Sequence, residues 1–218
     1  MTIKQGAERT ACTRCGTCCQ NGGPSLHRSD LPEIKAGIIP PEKLYTLREG
    51  ELVRDNINGG LISLSREIIK IKSRADSDTC VLFNSEDTAC AIYEDRPVQC
   101  RAMKCWDTSE IVRLYRQDQL SRTELFSEIP WVMELIGSHE TRCGCEKIRE
   151  LIAGRESGDS SAGEALSALI AFDSSLREVV REKDARAGQI LDLLFGRPLC
   201  KTIPHQFGIS SQATIKKR

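Results

Sequence analysis

The chain has 218 residues, 39% hydrophobic and 28% charged, enough for one domain of good size or a core domain with an appended helical piece. Acidic and basic residues balance at 31 each, which argues against a broad basic face for nucleic acid. No apolar run approaches the ~18–20 residues that cross a bilayer, and the first ten residues lack the apolar stretch of a signal peptide. These features predict a cytoplasmic protein with no membrane span and no nucleic-acid partner; Ile215-Lys-Lys-Arg218 is a small basic tail.

Eleven cysteines must be read against that compartment, where clustered thiols point to metal or redox chemistry rather than disulfides. Residues 12–19 read Cys-Thr-Arg-Cys-Gly-Thr-Cys-Cys. Cys12, Cys15 and Cys18 have the spacing that lets a tight loop turn several thiolates toward one centre. Cys19 adjoins Cys18, so the two side chains point apart. That pair is awkward for one tetrahedral ion and suits a polynuclear centre or two neighbouring sites. The following Gln20-Asn-Gly-Gly-Pro24 is a turn that keeps backbone N–H groups close to thiolate sulfur.

Asp30 is placed to cap a short helix, with Glu33 completing a capping box, Pro32 in its first turn and Gly37 at its end. Pro41 is expected to open a second helix to about Arg48, with Leu44 and Leu47 on one face. A β-branched stretch over 61–72 predicts at least one strand, at 67–72. Two apolar runs, Cys80-Val-Leu-Phe-Asn and Ala89-Cys-Ala-Ile-Tyr93, flank a polar turn and read as a β-hairpin. Asp95 and Pro97 then predict a helix start that puts Cys100 in its opening turn, where Arg96 and Arg101 would favour the thiolate; the two arginines serve equally as surface partners of Glu94 and Asp95. Cys105-Trp106-Asp107 ends this piece.

From Thr108 the chain reads as helices. Candidates span 109–120, 123–136 (kinked or split at Pro130), and 146–153 after a loop over 139–145. An exposed linker is expected at 154–163. Beyond it an amphipathic helix over 163–184 carries Leu166, Leu169, Ile170, Val179 and Val180, and a shorter helix runs to Phe195 before Gly196 and Pro198.

The second set of cysteines, Cys80, Cys90, Cys100 and Cys105, is expected to meet the first around metal. A Cys-x2-Cys-x2-Cys run is what bacterial ferredoxins use for three corners of a [4Fe–4S] cluster, although the adjacent Cys19 and the missing x3-Cys-Pro ending depart from that pattern. A zinc ribbon fits poorly, because the second set lacks a Cys-x2-Cys knuckle. Two four-thiolate zinc sites would use eight thiolates; one iron–sulfur cluster would leave some for other roles. His27 is a candidate ligand or a donor behind the ligands, whereas His139 and His205 read as surface or core. Cys143 and Cys145 suit involvement near the metal, a thiol–disulfide couple or neither, and Cys200 reads as a small buried hydrophobe. No cysteine pairs with a particular histidine as a nucleophile would.

The string Cys12-Thr-Arg-Cys-Gly-Thr-Cys-Cys19, the Gly-Pro after it, and Cys80-Val-Leu-Phe…Cys90-Ala-Ile-Tyr-Glu-Asp-Arg-Pro-Val-Gln-Cys100-Arg resemble the CxxCxxCC cysteine-cluster family of zinc- or iron-chelating domains, which includes flagellin lysine N-methylase proteins. The resemblance covers roughly residues 10–107. It implies that Cys12, Cys15, Cys18, Cys19, Cys80, Cys90, Cys100 and Cys105 are the ligand set. No further methylase motif and no glycine-rich nucleotide fingerprint accompanies it.

The expectation is therefore an α+β protein. A small β-hairpin or sheet element with cysteine-rich loops, in a metal-binding domain over 1–107, is wrapped by a mostly helical region over 108–218. Its function is to hold an iron–sulfur cluster or iron, with zinc the alternative. Two other roles stand beside this one. The first is a lysine N-methylase-like enzyme acting on a protein substrate at the metal centre, with a cleft lined by groups such as Arg101, Asp107 and His27. The second is a structural zinc module docking a protein partner.

Overall fold

The computed structural model describes residues 10–207. In chain order the elements are α1 (Leu31–Lys35), β1 (Leu44–Leu47), β2 (Leu52–Arg54), β3 (Leu61–Ser63), β4 (Ile68–Ile71), β5 (Phe83–Asn84), β6 (Ala89–Cys90), α2 (Val98–Ala102), α3 (Ser109–Leu114), α4 (Arg122–Phe126), α5 (Pro130–Cys143), α6 (Cys145–Glu156), α7 (Ser160–Lys183), α8 (Ala185–Gln189), α9 (Leu191–Phe195) and α10 (Leu199–Phe207). The α+β reading holds: the strands form small two-stranded sheets, and the long helices lie in the C-terminal half. The basic tail at 215–218 and the His205 side chain lie outside the described residues.

The chain divides into two units. A cysteine unit comprises residues up to Ile39 together with 71–119, and a helical unit comprises 40–70 and the chain from Leu120.

In the cysteine unit the expected hairpin forms, with Phe83 opposite Cys90 and Asn84 opposite Ala89. Asp30 does not cap α1. Its fully buried carboxylate instead accepts from the backbone N–H of His27 (2.9 Å) and of Val98 (2.8 Å). That second bond supplies the N-terminal partner of α2 that Asp95 was expected to provide. The helix expected over 109–120 stops at Leu114, because Arg116 and Asp118 take left-handed backbone (φ 65° and 44°).

In the helical unit β1 pairs with β4, and β2 pairs antiparallel with β3. Residues 41–48 are therefore not a helix: a single 3-10 turn, Pro41–Lys43, leads into β1. Leu44, Thr46 and Leu47 are all buried there, and the Thr46 hydroxyl donates to the Leu193 carbonyl of α9 (2.6 Å). Burial around β1, with β4 as partner, overrides a helical spacing of two leucines.

Pro130 splits the expected 123–136 helix, because it opens α5 rather than bending it. α4 is fixed separately by a Ser121–Glu124 capping box. The loop expected over 139–145 is helical to Cys143 and broken only at Gly144. Nothing between Trp131 and Cys143 interrupts helical hydrogen bonding, and His139 and Cys143, four apart, are both fully buried. The linker expected over 154–163 contains only a short turn between α6 and α7, where the Asp159 carboxylate accepts from Ser161 N–H (2.9 Å) and starts the longest helix.

Two apolar clusters hold this unit. One gathers Val132, Ile136, Val180, Ala187, Leu191, Leu194 and Phe195; the other gathers Cys143, Ile148, Ile152, Leu166, Leu169, Leu199 and Ile203. Val179, expected on the apolar face of α7, is exposed, whereas Asp173 and Arg177 of the same helix are buried. Among the described residues no helix is long and apolar enough to cross a membrane.

Candidate metal centre

The cysteine loop is shaped by close backbone approach. Gly16 has φ +75°, and a side chain there would collide with the Phe83 ring; a side chain at Gly23 would collide with the Ile71 carbonyl. Backbone bonds then stitch the loop to the chain that carries the second cysteine set. The Cys19 carbonyl accepts from Cys80 N–H (2.8 Å), and the Pro24 carbonyl accepts from Ile71 N–H (3.0 Å). The Gln99 side chain accepts from Ser25 N–H (2.6 Å), which with Asp30 holds α2, and hence Cys100, against the segment after the loop.

The eight cysteines differ in exposure and surroundings. Cys18, Cys19, Cys80 and Cys100 have their protonation altered by neighbouring thiols. The Cys18 thiol is drawn down to about 6, chiefly by its hydrogen bond with the Cys19 side chain. Cys19 moves in the opposite direction through the same bond, with burial and the charges of Cys18, Cys100 and Cys90 adding to it. Burial raises the Cys80 thiol, with Cys90 and Cys18 contributing. Cys100 is pushed up to about 12, first by burial and then by Cys80, Cys90, Cys18 and Asp30. The thiolate expected at Cys100 is therefore not favoured in the metal-free protein: burial outweighs the start of a five-residue helix.

Cys12, Cys15 and Cys105 are exposed. Cys12 sulfur accepts from Arg14 N–H (3.4 Å), a backbone bond to sulfur of the kind expected from the loop, though from a different residue. Cys15 lies 3.3 Å from the Thr17 hydroxyl. Among the described residues no three Cys, His, Asp or Glu side chains already stand in a geometry that grips a metal ion.

Tyr93 joins the two cysteine segments in a way the sequence did not announce. Its ring carries the guanidinium of Arg14 at 3.8 Å and that of Arg96 at 4.0 Å. Arg96 also donates to the Tyr93 carbonyl, and Arg101 to the Arg96 carbonyl (2.6 Å), so both arginines brace the backbone beside Cys100.

His27 is buried, and neither ring nitrogen has a hydrogen-bond partner among the described residues. Asp107 is exposed and accepts from Ser109 N–H. Cys143 and Cys145 belong to the helical unit. Cys143 packs in its second apolar cluster with its thiol pushed up to about 11 by burial, and Cys145 is half-buried. Cys200, expected to be buried, is exposed on α10.

Residues 11–125, just over half the chain, match the sequence model of the CxxCxxCC family, described as a "putative zinc- or iron-chelating domain". The chain belongs to this family. No curated protein and no solved structure matches it significantly. The CxxCxxCC match spans both cysteine sets and makes metal chelation, by zinc or iron, the chemistry of the cysteine unit. The donors fit that chemistry: sulfur ligands suit both metals, and the burial and neighbouring thiols that hold Cys19, Cys80 and Cys100 protonated are offset by a bound cation.

Proposed function

We propose that the cysteine unit holds a polynuclear iron centre, an iron–sulfur cluster or iron alone, through Cys12, Cys15, Cys18, Cys19, Cys80, Cys90, Cys100 and Cys105. The observation that carries this reading is the joining of the two cysteine sets on one scaffold, where Cys80 N–H donates to the Cys19 carbonyl (2.8 Å) beside the hairpin that bears Cys90. Eight thiols exceed what one tetrahedral zinc ion takes, and neighbouring residues seldom serve the same ion. Iron–sulfur clusters accept such a set, because their several iron atoms present separate corners. The exposed loop with Cys12 and Cys15 supplies donors that close over the centre when metal arrives.

Iron, acid-labile sulfide and the visible spectrum of protein purified without oxygen test this reading. A brown protein with iron, sulfide and broad absorbance near ~400 nm is the expected result. A colourless protein with about one or two zinc ions overturns the iron reading in favour of a structural zinc module. Cys100→Ser and Cys15→Ser are both expected to lower bound metal; unchanged metal content in both removes the ligand assignment.

A further inference from the structure

The stretch that carries Cys12–Cys19 is pinned to the rest of the cysteine unit from its downstream side. Gly16 packs against the Phe83 ring so closely that a side chain there would collide with it, and the Cys19 carbonyl accepts from Cys80 N–H (2.8 Å). Asn21 folds back on the same turn and donates to the Thr17 carbonyl (2.7 Å). Cys12 and Cys15 lie upstream of these contacts and are exposed. Between them stands Arg14, whose side chain reaches across to Tyr93 and Glu94.

The Arg14 guanidinium sits 3.8 Å from the centre of the Tyr93 ring, and that of Arg96 sits 4.0 Å from it. Two guanidinium groups so close to one ring centre would overlap on a shared face, so they grip the ring from opposite sides. The electron-rich faces attract both cations. The two arginines are held differently. Arg96 also donates to the Tyr93 carbonyl (2.8 Å), and Arg101 donates to the Arg96 carbonyl (2.6 Å), so this half of the clamp is fixed within its own segment. Arg14 comes from the other segment. It also meets Glu94 at 3.5 Å, but both of those side chains are largely exposed, where an ion pair contributes little. The ring is its principal hold.

The backbone gives this hold something to resist. Arg14 has φ 56°, a left-handed conformation that a residue with a Cβ disfavours. In that conformation its N–H donates to the Cys12 sulfur, 3.4 Å away. Release of the side chain lets the turn relax and takes Cys12 with it.

We propose that Arg14 is a positioning residue for the metal centre: stacked on Tyr93, it keeps the Cys12–Cys15 stretch closed against the segment that leads into Cys100. The inference rests on Cys12 and Cys15 being ligands, as in the function proposed above. The stack adds no donor to the metal. It sets how often the two exposed donors swing away, and so how fast metal leaves.

The test uses the full chain reconstituted with zinc, which serves under either metal because sulfur ligands suit both. Trypsin cuts after Arg14 only when that side chain leaves the ring and the stretch opens, so early cleavage tracks the open population. Loss of a cation–ring stack at an exposed site raises that population about two- to fivefold. Tyr93→Leu is therefore expected to speed cleavage after Arg14 by that factor, and to speed zinc transfer to a coloured chelator equally. Tyr93→Phe keeps the ring and is expected to leave both rates near those of the native chain. Zinc per chain at saturation, and cleavage after the exposed Lys183 of α7, should stay constant in both variants. Arg14→Gln, which alters only a surface side chain, is expected to match Tyr93→Leu in zinc transfer. Unchanged rates in Tyr93→Leu and Arg14→Gln, or equal acceleration in Tyr93→Phe, overturn the proposal. Faster cleavage with unchanged zinc transfer overturns the role at the metal centre. A native chain that takes up no zinc fails the metal reading instead, and the cleavage ratio then decides the clamp by itself.

Discussion

In the helical unit, α7 alone runs for 24 residues, and two apolar clusters surround it or its neighbours. In the cysteine unit no described helix exceeds six residues; Leu26, Ile39, Ile71 and Phe83 are buried there, and its elements are also joined by backbone bonds and by Asp30, Gln99 and Tyr93. One region is ordered by long helices packed on extended apolar clusters, the other by short elements around a few buried side chains and a set of thiols whose charges repel when ionised. Stability in the first belongs to the polypeptide; in the second much of it waits for a cation.

Chelation is the strongest way to break this contrast. Structural metal in small thiolate sites contributes on the order of 10 kcal/mol. Treatment with a strong chelator is therefore expected to abolish amide-exchange protection across 71–119 while the α5–α9 amides keep theirs. Equal loss in both regions would erase the distinction.

The next largest effect lies in the helical unit, at Arg122. Its buried guanidinium donates to Glu67 (2.7 Å), Glu140 (2.7 Å) and the Leu194 carbonyl (2.6 Å). Arg122→Ala leaves these acceptors without their donor and is expected to cost about 3–5 kcal/mol. Urea unfolding measures it, with bound metal per chain unchanged.

These two effects sit on residues of unequal visibility. The hairpin and the strand at 68–71 were legible, because alternation is a local signal, and the family was legible from the Cys12–Cys19 string. Strand β1 was not: Leu44 and Leu47 fit a helix by spacing, and the Thr46 bond to Leu193 that helps hold it comes from 147 positions away. Asp30 was noticed for the wrong partner, since local pattern offers α1 while the fold offers Val98. The burial of Cys80 and the raised thiol of Cys100 were invisible for the same reason, because both come from tertiary surroundings. Arg122 and Arg177 gave no signal at all, as arginine in a helix pattern reads as solvated surface.

Asp30 gives a smaller and more local test. Asp30→Ala strips acceptors from two buried N–H groups and is expected to cost about 1–3 kcal/mol. Because one of those groups begins α2, bound metal should fall as well, whereas the near-ultraviolet signature of the helical unit should not move. Metal content equal to that of the native chain would mean Cys100 needs no such support.

Acid supplies the smallest effect. His139 is fully buried beside Asp173 (2.9 Å), and its other nitrogen has no partner among the described residues. Burial holds its pKa down, so between the folded and unfolded values the unfolded chain binds more protons, and stability falls as pH drops below about 6.5. The Asp173 carboxyl is also lowered, chiefly by its bond from His139 against the opposing effect of burial, with Arg177 adding to it. Its contribution is present above about pH 4 and disappears as pH falls through its folded value. Thermal unfolding of the helical unit should show stability falling between pH 7 and 5, and His139→Gln should flatten that slope. An unchanged slope would exclude His139 as the titrating group.

Residues 40–70 interrupt the cysteine unit, and this ordering has a consequence during synthesis. When Cys19 leaves the ribosome, Cys80 is still about sixty residues behind, or roughly 3–12 seconds at ordinary elongation rates. Through that interval the first four thiols are exposed without the segment that completes their surroundings. The nascent chain is then most open to oxidants and to mismatched ions, and slower translation through 40–70 lengthens the exposure.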